Sequence, residues 1–157
     1  MYLILKALHL FAVAIFLGNI ITGLFWKAGA DRTGDARARA QALDGIIASD
    51  RWFTVPGVVL VIATGVAMSL LAGLPILRTR WIAVSLLLFV LSGVIFASAL
   101  APWQRRLHAM ARTAADGGHW DAAGYRHLSL RWEVWGLIAI ALPLGALVLM
   151  VMRPALD

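Results

Sequence analysis

A single histidine, His9, is the first residue whose chemistry needs an explanation, because it lies in the apolar opening MYLILKALHLFAVAIFLGNI. An ionisable side chain within a membrane segment is costly, so it is a functional candidate by default. Imidazole is a common axial ligand of haem iron, and helical bundles hold cofactors in their cores. Two interpretations stay open: His9 is the axial ligand of a haem b, or its imidazole forms a hydrogen bond with a neighbouring helix or with water.

A second axial ligand would have to be a different residue type, since the other long apolar stretches contain no histidine. Met68 is expected at a depth similar to that of His9, so His–Met ligation with Met68 is the first choice, and Met150 is expected near the same face. The alternative is that these methionines only fill space between helices. The remaining histidines follow the third apolar stretch without the spacing of a metal site: His108, His119 and His127.

Charged residues stand at the starts of two apolar stretches. Arg51 in SDRW precedes the second stretch, and Glu133 in RWEVW precedes the fourth. If these helices are neighbours, Arg51 and Glu133 are expected to pair. The pair would act as a salt bridge that sets helix depth, or as a site for a porphyrin propionate or a lipid head group. With His9 and Met68 they form the predicted cofactor-binding set, whereas the pattern predicts no catalytic residue.

Two further polar residues, Asn19 and Thr22, lie deep in the first apolar stretch and on one helix face. Asn19 and His9 are about 80° out of register around a helix. Both side chains are therefore expected to border one interior cavity without touching each other.

The elements that must position these residues are membrane helices. The chain has 157 residues, of which 62% are hydrophobic and 14% are charged, whereas a soluble domain is about one quarter charged. It has no cysteine, which excludes disulfides and thiolate metal sites. The composition predicts an all-α, integral membrane four-helix bundle with short interfacial cytoplasmic helices, forming a single domain over 1–157. About 20 apolar residues cross a bilayer, and four stretches qualify: 2–26, 52–73, 81–103 and 134–152.

Loop charge predicts the orientation of these spans. Ten of the 14 basic residues fall in the two long segments 27–51 and 104–131, which must share one side of a four-span protein. The positive-inside rule then places both long segments in the cytoplasm and both termini outside, in a bacterial inner membrane. Basic charge of this kind indicates anionic lipid and not nucleic acid as the partner.

The connections predict further details. The short hairpin AGLPILRTR is expected to make spans two and three antiparallel neighbours. A short interfacial helix is expected after Gly34, and the third span is expected to continue as a charged extension as far as Gly117. Asp121 is a plausible N-cap for another short helix.

Several stretches resemble a known family. LKALHLFAVAIFLGNI, DRWFTVPGVVLVIATG and RWEVWGLIAIALPLGALVLMVMRP look like a bacterial family of predicted integral membrane proteins of unknown function, over nearly the whole chain. More distantly, KALHLFAVAIFLG is similar to the first span of HemJ-type protoporphyrinogen oxidases and of CopD-like membrane domains. The HemJ resemblance implies that His9 ligates haem b. The partner methionine of that family, just before the proline of span two, is absent here, where Thr54 and Val55 precede Pro56.

These observations support three hypotheses for function. The first is a small b-type haem-binding inner-membrane protein that takes part in redox chemistry with quinone or porphyrin. The second is a cofactor-free protein, either a membrane partner subunit or a small transporter. Its partner would be another membrane protein or a second copy of this chain. Spans two to four lack acidic groups for transport. The third is a HemJ-like protoporphyrinogen oxidase, so an oxidoreductase activity stays open.

Overall fold

The protein is an all-α bundle, which a computed structural model describes over residues 1–154. These residues contain no β-strand, and four of the helical stretches are long and apolar enough to cross a membrane, which confirms the predicted fold class. Two of the four stretches are interrupted by a π-helical turn. The helices are α1 (Tyr2–Thr33), α2 (Ala36–Ser49), α3 (Val55–Leu71), α4 (Arg80–Ile95), α5 (Ala101–Ala115) and α6 (Ala122–Met152), and the π-helical turns are Asp50–Thr54 and Phe96–Leu100.

The four helical stretches are longer than the bilayer core. They contain 32, 36, 36 and 31 residues, whereas about 20 residues suffice to cross hydrocarbon. The surplus projects on one side, called here the extension side, where α2 and α5 lie; the start of α1, the end of α6 and the turn at 72–79 form the hairpin side. The helix predicted after Gly34 is α2, and it continues through the π-helical turn into α3. Asp121 does cap a helix, but that helix is the whole of α6 and not a short separate one.

The prediction that spans two and three are neighbours is wrong within the membrane. No Cα atom of α3 lies within 8 Å of a Cα atom of α4; α3 packs on α1, and α4 packs on α6. The two long helices meet only at the extension side, where α2 packs on α5 around the fully buried Leu43 and Leu107. The turn at 72–79 is long enough to let the helices separate, so close packing with α1 and α6 decides the arrangement.

Small residues set the distance between α1 and α3. A Cβ atom at Gly57 would lie 3.2 Å from Cβ and 3.6 Å from Cα of Phe16, so the two backbones approach closely at this point. A Cβ atom at Gly65 would lie 3.3 Å from Cε1 of His9. Such close approach is typical of helix pairs in membranes, where packing replaces the hydrophobic effect as the driving force.

Prolines explain two irregular features of the bundle. Pro56 and Pro102 each follow a π-helical turn by two residues, and a proline removes the hydrogen bond to the carbonyl four residues earlier. In α6, Pro143 deprives the carbonyl of Ala139 of its usual donor in the same way. The hydroxyl of Ser92 on α4 donates to that carbonyl oxygen at 2.7 Å, so the neighbouring helix satisfies the freed group.

Candidate functional site

A half-buried carboxylate, that of Asp50, is held by neutral side chains from three parts of the fold. Thr54 Oγ1 donates to Asp50 Oδ1 at 2.8 Å, and Gln104 Nε2 donates to Oδ2 at 3.0 Å. Asn19 Nδ2 donates to Thr54 Oγ1 at 2.8 Å and lies 3.4 Å from Asp50 Oδ1. None of the ion pairs that the structure gives for residues 1–154 involves Asp50. The cluster therefore holds an acidic group with no basic partner.

The π-helical turns position this cluster. Asp50 and Thr54 are the first and last residues of one turn, and Gln104 lies one helical turn beyond the other. A π-helical turn displaces the side chains that follow it from the regular helical positions, and such turns are frequent at functional sites. One interruption of the long helices thus carries the carboxylate, and the other lies one helical turn before its partner Gln104.

The cluster lies beside a central cavity of about 200 Å³ between α1, α3, α4 and α6. Except for this cluster and Ser92, apolar residues and glycines line it. Ile62 of α3 and Val90 of α4 line the cavity and are 40% and 48% exposed. Since α3 and α4 do not approach each other, the cavity opens between them toward the surrounding lipid.

Trp132 lines the cavity with its ring. The residue is only 5% exposed, and its indole N–H is closed off from the cavity and has no hydrogen-bond partner among residues 1–154. Buried donors almost always have a partner in folded proteins, so this N–H is an exception.

A buried ion network lies behind Trp132 on the extension side. Lys27 is 1% exposed and donates to Asp31 Oδ2 at 2.6 Å, to Glu133 Oε1 at 3.0 Å and to the hydroxyl of Ser129. Its ammonium also lies 5.2 Å from the centre of the Trp132 ring. The network joins α1 to α6 next to the cavity.

The predicted pairing of Arg51 with Glu133 is not formed. Glu133 pairs with Lys27, and Arg51 is exposed on the π-helical turn. The reason is the helix arrangement, because α6 packs on α4, α5 and α1, whereas α3 packs on α1 and on its own π-helical turn. A role for Arg51 or Glu133 in holding a cofactor stays a prediction.

His9 lies half-buried at the interface of α1 and α3. Its Nδ1 atom is 2.9 Å from Thr64 Oγ1, and its ring packs against Gly65. His9 is thus level with Thr64, whereas Met68 lies one turn farther toward the hairpin side, so the two are less level than predicted. The offset arises because the packing of His9 over Gly65 sets the register of α1 against α3. The prediction had instead aligned the two helices by their ends. His9 does not line the central cavity, whereas Asn19 does, so the expectation that both border one cavity is wrong.

The other predicted polar residues have separate surroundings. Thr22 is exposed and donates to carbonyl oxygens of its own helix. His108 Nε2 lies 2.8 Å from Asp44 Oδ1, although the angle at nitrogen is not that of a hydrogen bond. Among residues 1–154 no three His, Cys, Asp or Glu side chains converge as metal ligands would.

Sequence reasoning missed most of this site. It counted Lys27 only among the basic residues of the segment 27–51, and it gave Asp50, Gln104 and Trp132 no place in a site. The spacing of Lys27 and Asp31, one helical turn apart directly after an apolar stretch, was a usable signal for an intrahelical pair. No local pattern connects Asp50 with Gln104, because they are 54 residues apart.

Comparison with known proteins identifies the family and nothing further. No curated protein and no solved structure matches the chain. A family described as "Predicted integral membrane protein (DUF2269)" matches residues 3–154, which confirms the predicted resemblance to a membrane family of unknown function. The chain, with its four membrane helices, therefore belongs to the DUF2269 family of integral membrane proteins.

Proposed function

We propose that this protein binds a small lipid-soluble molecule in the central cavity between its four membrane helices. The observation that carries the proposal is the combination of an apolar cavity with one polar cluster in its wall, the Asp50 carboxylate and the neutral side chains that donate to it. Ligand sites are commonly apolar pockets with a few polar groups that orient the ligand. A dry cavity of about 150 Å³ already accommodates a benzene ring, so about 200 Å³ suits one substituted ring.

The separation of α3 from α4 supports access from the bilayer. Ile62 and Val90 border the opening, and Gly93 on α4 adds no side chain there. A molecule dissolved in lipid would pass between these helices with an apolar tail left outside. Its polar end would then meet the Asp50 cluster.

Filling the cavity is expected to abolish this binding. No atom lies within 4 Å of a Cβ added at Gly93, so Gly93→Leu adds volume at the cavity without a steric clash at that position. We expect photolabelling of the purified protein by a decyl-substituted phenyl diazirine to fall several-fold in this variant. Mass spectrometry of the labelled peptides locates the site, which should include α4 and α6.

Gly18→Leu is the matched control, because Gly18 also has open space around it but does not line the cavity. Its labelling should equal that of the unsubstituted protein. Equal labelling of Gly93→Leu and Gly18→Leu, or labels spread evenly over lipid-facing residues, would overturn the proposal.

A haem b bound through His9 is the second candidate, and the geometry of the imidazole supports it. The hydroxyl of Thr64 donates to the carbonyl oxygen of Leu60, so it accepts from Nδ1–H of His9. The lone pair then lies on Nε2, the arrangement that orients a ligating histidine. His9 would hold the iron of a haem b, with Met68 proposed as the second ligand, and the haem would supply one-electron redox chemistry with a quinone or porphyrin partner.

The haem hypothesis predicts a spectrum that depends on His9. Detergent-purified protein, expressed with haem supplementation, is expected to show a sharp Soret band, and an α band after reduction with dithionite. His9→Ala should lose both bands. His108→Ala changes a histidine of α5 on the extension side and should keep both bands. A featureless spectrum of the unsubstituted protein would refute haem binding and leave the central-cavity proposal unaffected.

The proposed setting is a bacterial inner membrane, with the extension side in the cytoplasm and both termini outside. The concentration of basic residues in 27–51 and 104–131 supports this orientation. A second copy or a membrane partner subunit would contact the apolar outer surface, which exposes large side chains along all four membrane helices.

A further inference from the structure

We infer that Arg51 and Arg105 form a binding site for the phosphate group of an anionic phospholipid, at the end of the opening between α3 and α4 that lies on the extension side. The site is on the outer surface of the bundle and not in the central cavity, so the inference does not rest on the proposed function. It follows from the helix face on which the two side chains lie and from the acidic residues that surround them.

The antiparallel packing of α2 on α5 brings the two arginines to one face of this helix pair. Gln104 of the long helix that contains α5 donates to Asp50, at the end of α2, so these two residues face each other. In two antiparallel helices, the residues that directly follow such a facing pair turn toward the same side, by about 100° each. Arg51 follows Asp50, and Arg105 follows Gln104, so the two arginines share a face.

That face is turned away from α1 and α6. The guanidinium carbon of Arg131, on α6, lies 5.1 Å from the centre of the Trp103 ring, so the Trp103 side of α5 faces α6. Arg105 is two residues farther along α5 and therefore lies almost opposite Trp103 around the helix. Both Arg51 and Arg105 are exposed, as expected on the outer face.

The opening between α3 and α4 lies on this same outer side. The bundle places α3 against α1 and α4 against α6, so the gap between α3 and α4 is opposite the contact of α1 with α6. The chain passes from α2 into α3 and from α4 into α5 through the π-helical turns, and contact of α2 with α5 closes the gap on the extension side. Trp52, next to Arg51, is 73% exposed, as is typical of a residue at the membrane interface.

Neither arginine has an acidic partner among residues 1–154. None of the ion pairs that the structure gives for these residues involves Arg51 or Arg105. The acidic residue of α2, Asp44, is about two helical turns farther from the membrane than Arg51 and already pairs with Arg112. Two positive charges at the membrane interface therefore remain available.

A phospholipid matches both the charge and the opening beside it. Guanidinium groups bind phosphate oxygens through paired N–H bonds, and basic pockets between membrane helices hold anionic lipid head groups. One acyl chain would lie along the opening, where Ile62 and Val90 are 40% and 48% exposed. A soluble phosphate would gain nothing from this apolar surface, so the combination favours a lipid.

Native mass spectrometry of the detergent-purified protein tests the inference with three ligands: dioleoyl phosphatidylglycerol, dioleoyl phosphatidylcholine and soluble glycerol 3-phosphate. Each arginine near an anionic head group strengthens binding by about fivefold. We therefore expect phosphatidylglycerol to bind at least about tenfold more tightly than phosphatidylcholine, which has no net charge. Glycerol 3-phosphate should not displace bound lipid at equal concentration. This comparison uses the unsubstituted protein and does not depend on how variants fold.

Two double variants assign the preference to this face. Arg51→Gln/Arg105→Gln should reduce the preference for phosphatidylglycerol to about threefold or less. Arg32→Gln/Arg37→Gln removes the same charge from exposed arginines of α1 and α2 and should retain the preference. Arg37 is about 20 Å from Arg51 along the helix axis, so it cannot contact a lipid held there.

The other outcomes would each overturn the inference. Equal affinity for the two lipids would remove the anionic site. An equal loss of preference in both double variants would show a general attraction of the basic extension side for anionic lipid. Displacement of lipid by glycerol 3-phosphate would indicate a soluble phosphate as the ligand. Photolabelling of the central cavity is measured separately, so failure of this site is distinguishable from failure of the proposed function.

Discussion

Lys27→Met is expected to lower the free energy of unfolding by about 3 kcal/mol, because it leaves Glu133 without its cation and Asp31 with Arg39 as its remaining ion-pair partner. Lys27 is 1% exposed and contacts both Asp31 and Glu133 within hydrogen-bonding distance. The methionine retains the length of the apolar stem, so the loss of stability reflects the missing charge and not a gap in the packing. The value lies at the lower end of the range for a broken buried pair, since Glu133 is 39% exposed and gains solvation.

Unfolding by SDS in mixed micelles, followed by circular dichroism, measures this effect. Lys6→Met is the matched control, because Lys6 is exposed on the same helix, and it should change stability by less than about 0.5 kcal/mol. The double variant Lys27→Met/Glu133→Gln should recover part of the loss, as one unpaired charge is then removed. Equal stabilities of the Lys27 and Lys6 variants would show that the network does not stabilise the fold.

Gly57→Leu is expected to lower the free energy of unfolding by about 3 kcal/mol, through overpacking between α1 and α3. The added Cβ atom would meet Phe16 at 3.2 Å from Cβ and 3.6 Å from Cα, positions that no side-chain rotation can move away. The two helices must therefore separate. Asn19, whose amide donates to Thr54 across the same pair of helices, should lose that bond.

The same SDS titration measures the stability of this variant. Gly29→Leu provides the comparison, since nothing lies within 4 Å of a Cβ atom at Gly29 on α1, and its stability should remain unchanged. Gly57→Leu should also bind cavity ligands more weakly, because the Asp50 cluster loses Asn19. A Gly57 variant as stable as the Gly29 variant would mean that α1 and α3 are not in close contact at this point.

The Lys27 network and the Gly57 contact have related consequences for the cavity. The network holds α1 against α6 next to Trp132, and the glycine contact holds α1 against α3 next to Asp50. α1 thus connects the Lys27 network with the Asp50 cluster. Its 32 residues make it long enough to reach the network beyond the end of its apolar stretch.

The sequence by itself determined the features that depend on local composition. Four helices cross the membrane because each apolar stretch is long enough to satisfy its backbone hydrogen bonds internally in lipid. Gly117, with a positive φ angle, ends a helix where predicted, and Gly34, also with a positive φ angle, precedes the helix predicted after it. Asp35 and Asp121 cap the helices that follow through their side chains. Prolines 56 and 102 lie beside the interruptions of the long helices.

Only the tertiary structure decided which helices pair and which polar groups meet. Hydropathy does not distinguish one apolar helix face from another, because lipid and a neighbouring helix are almost equally apolar surroundings. Steric fit at Gly57 and Gly65 therefore chose α1 as the partner of α3, against the expectation from the short hairpin. The observed packing of the helices places His9 against Thr64, Glu133 against Lys27 and Gln104 against Asp50. These contacts join residues 54 to 106 positions apart, and no local pattern encodes such distances.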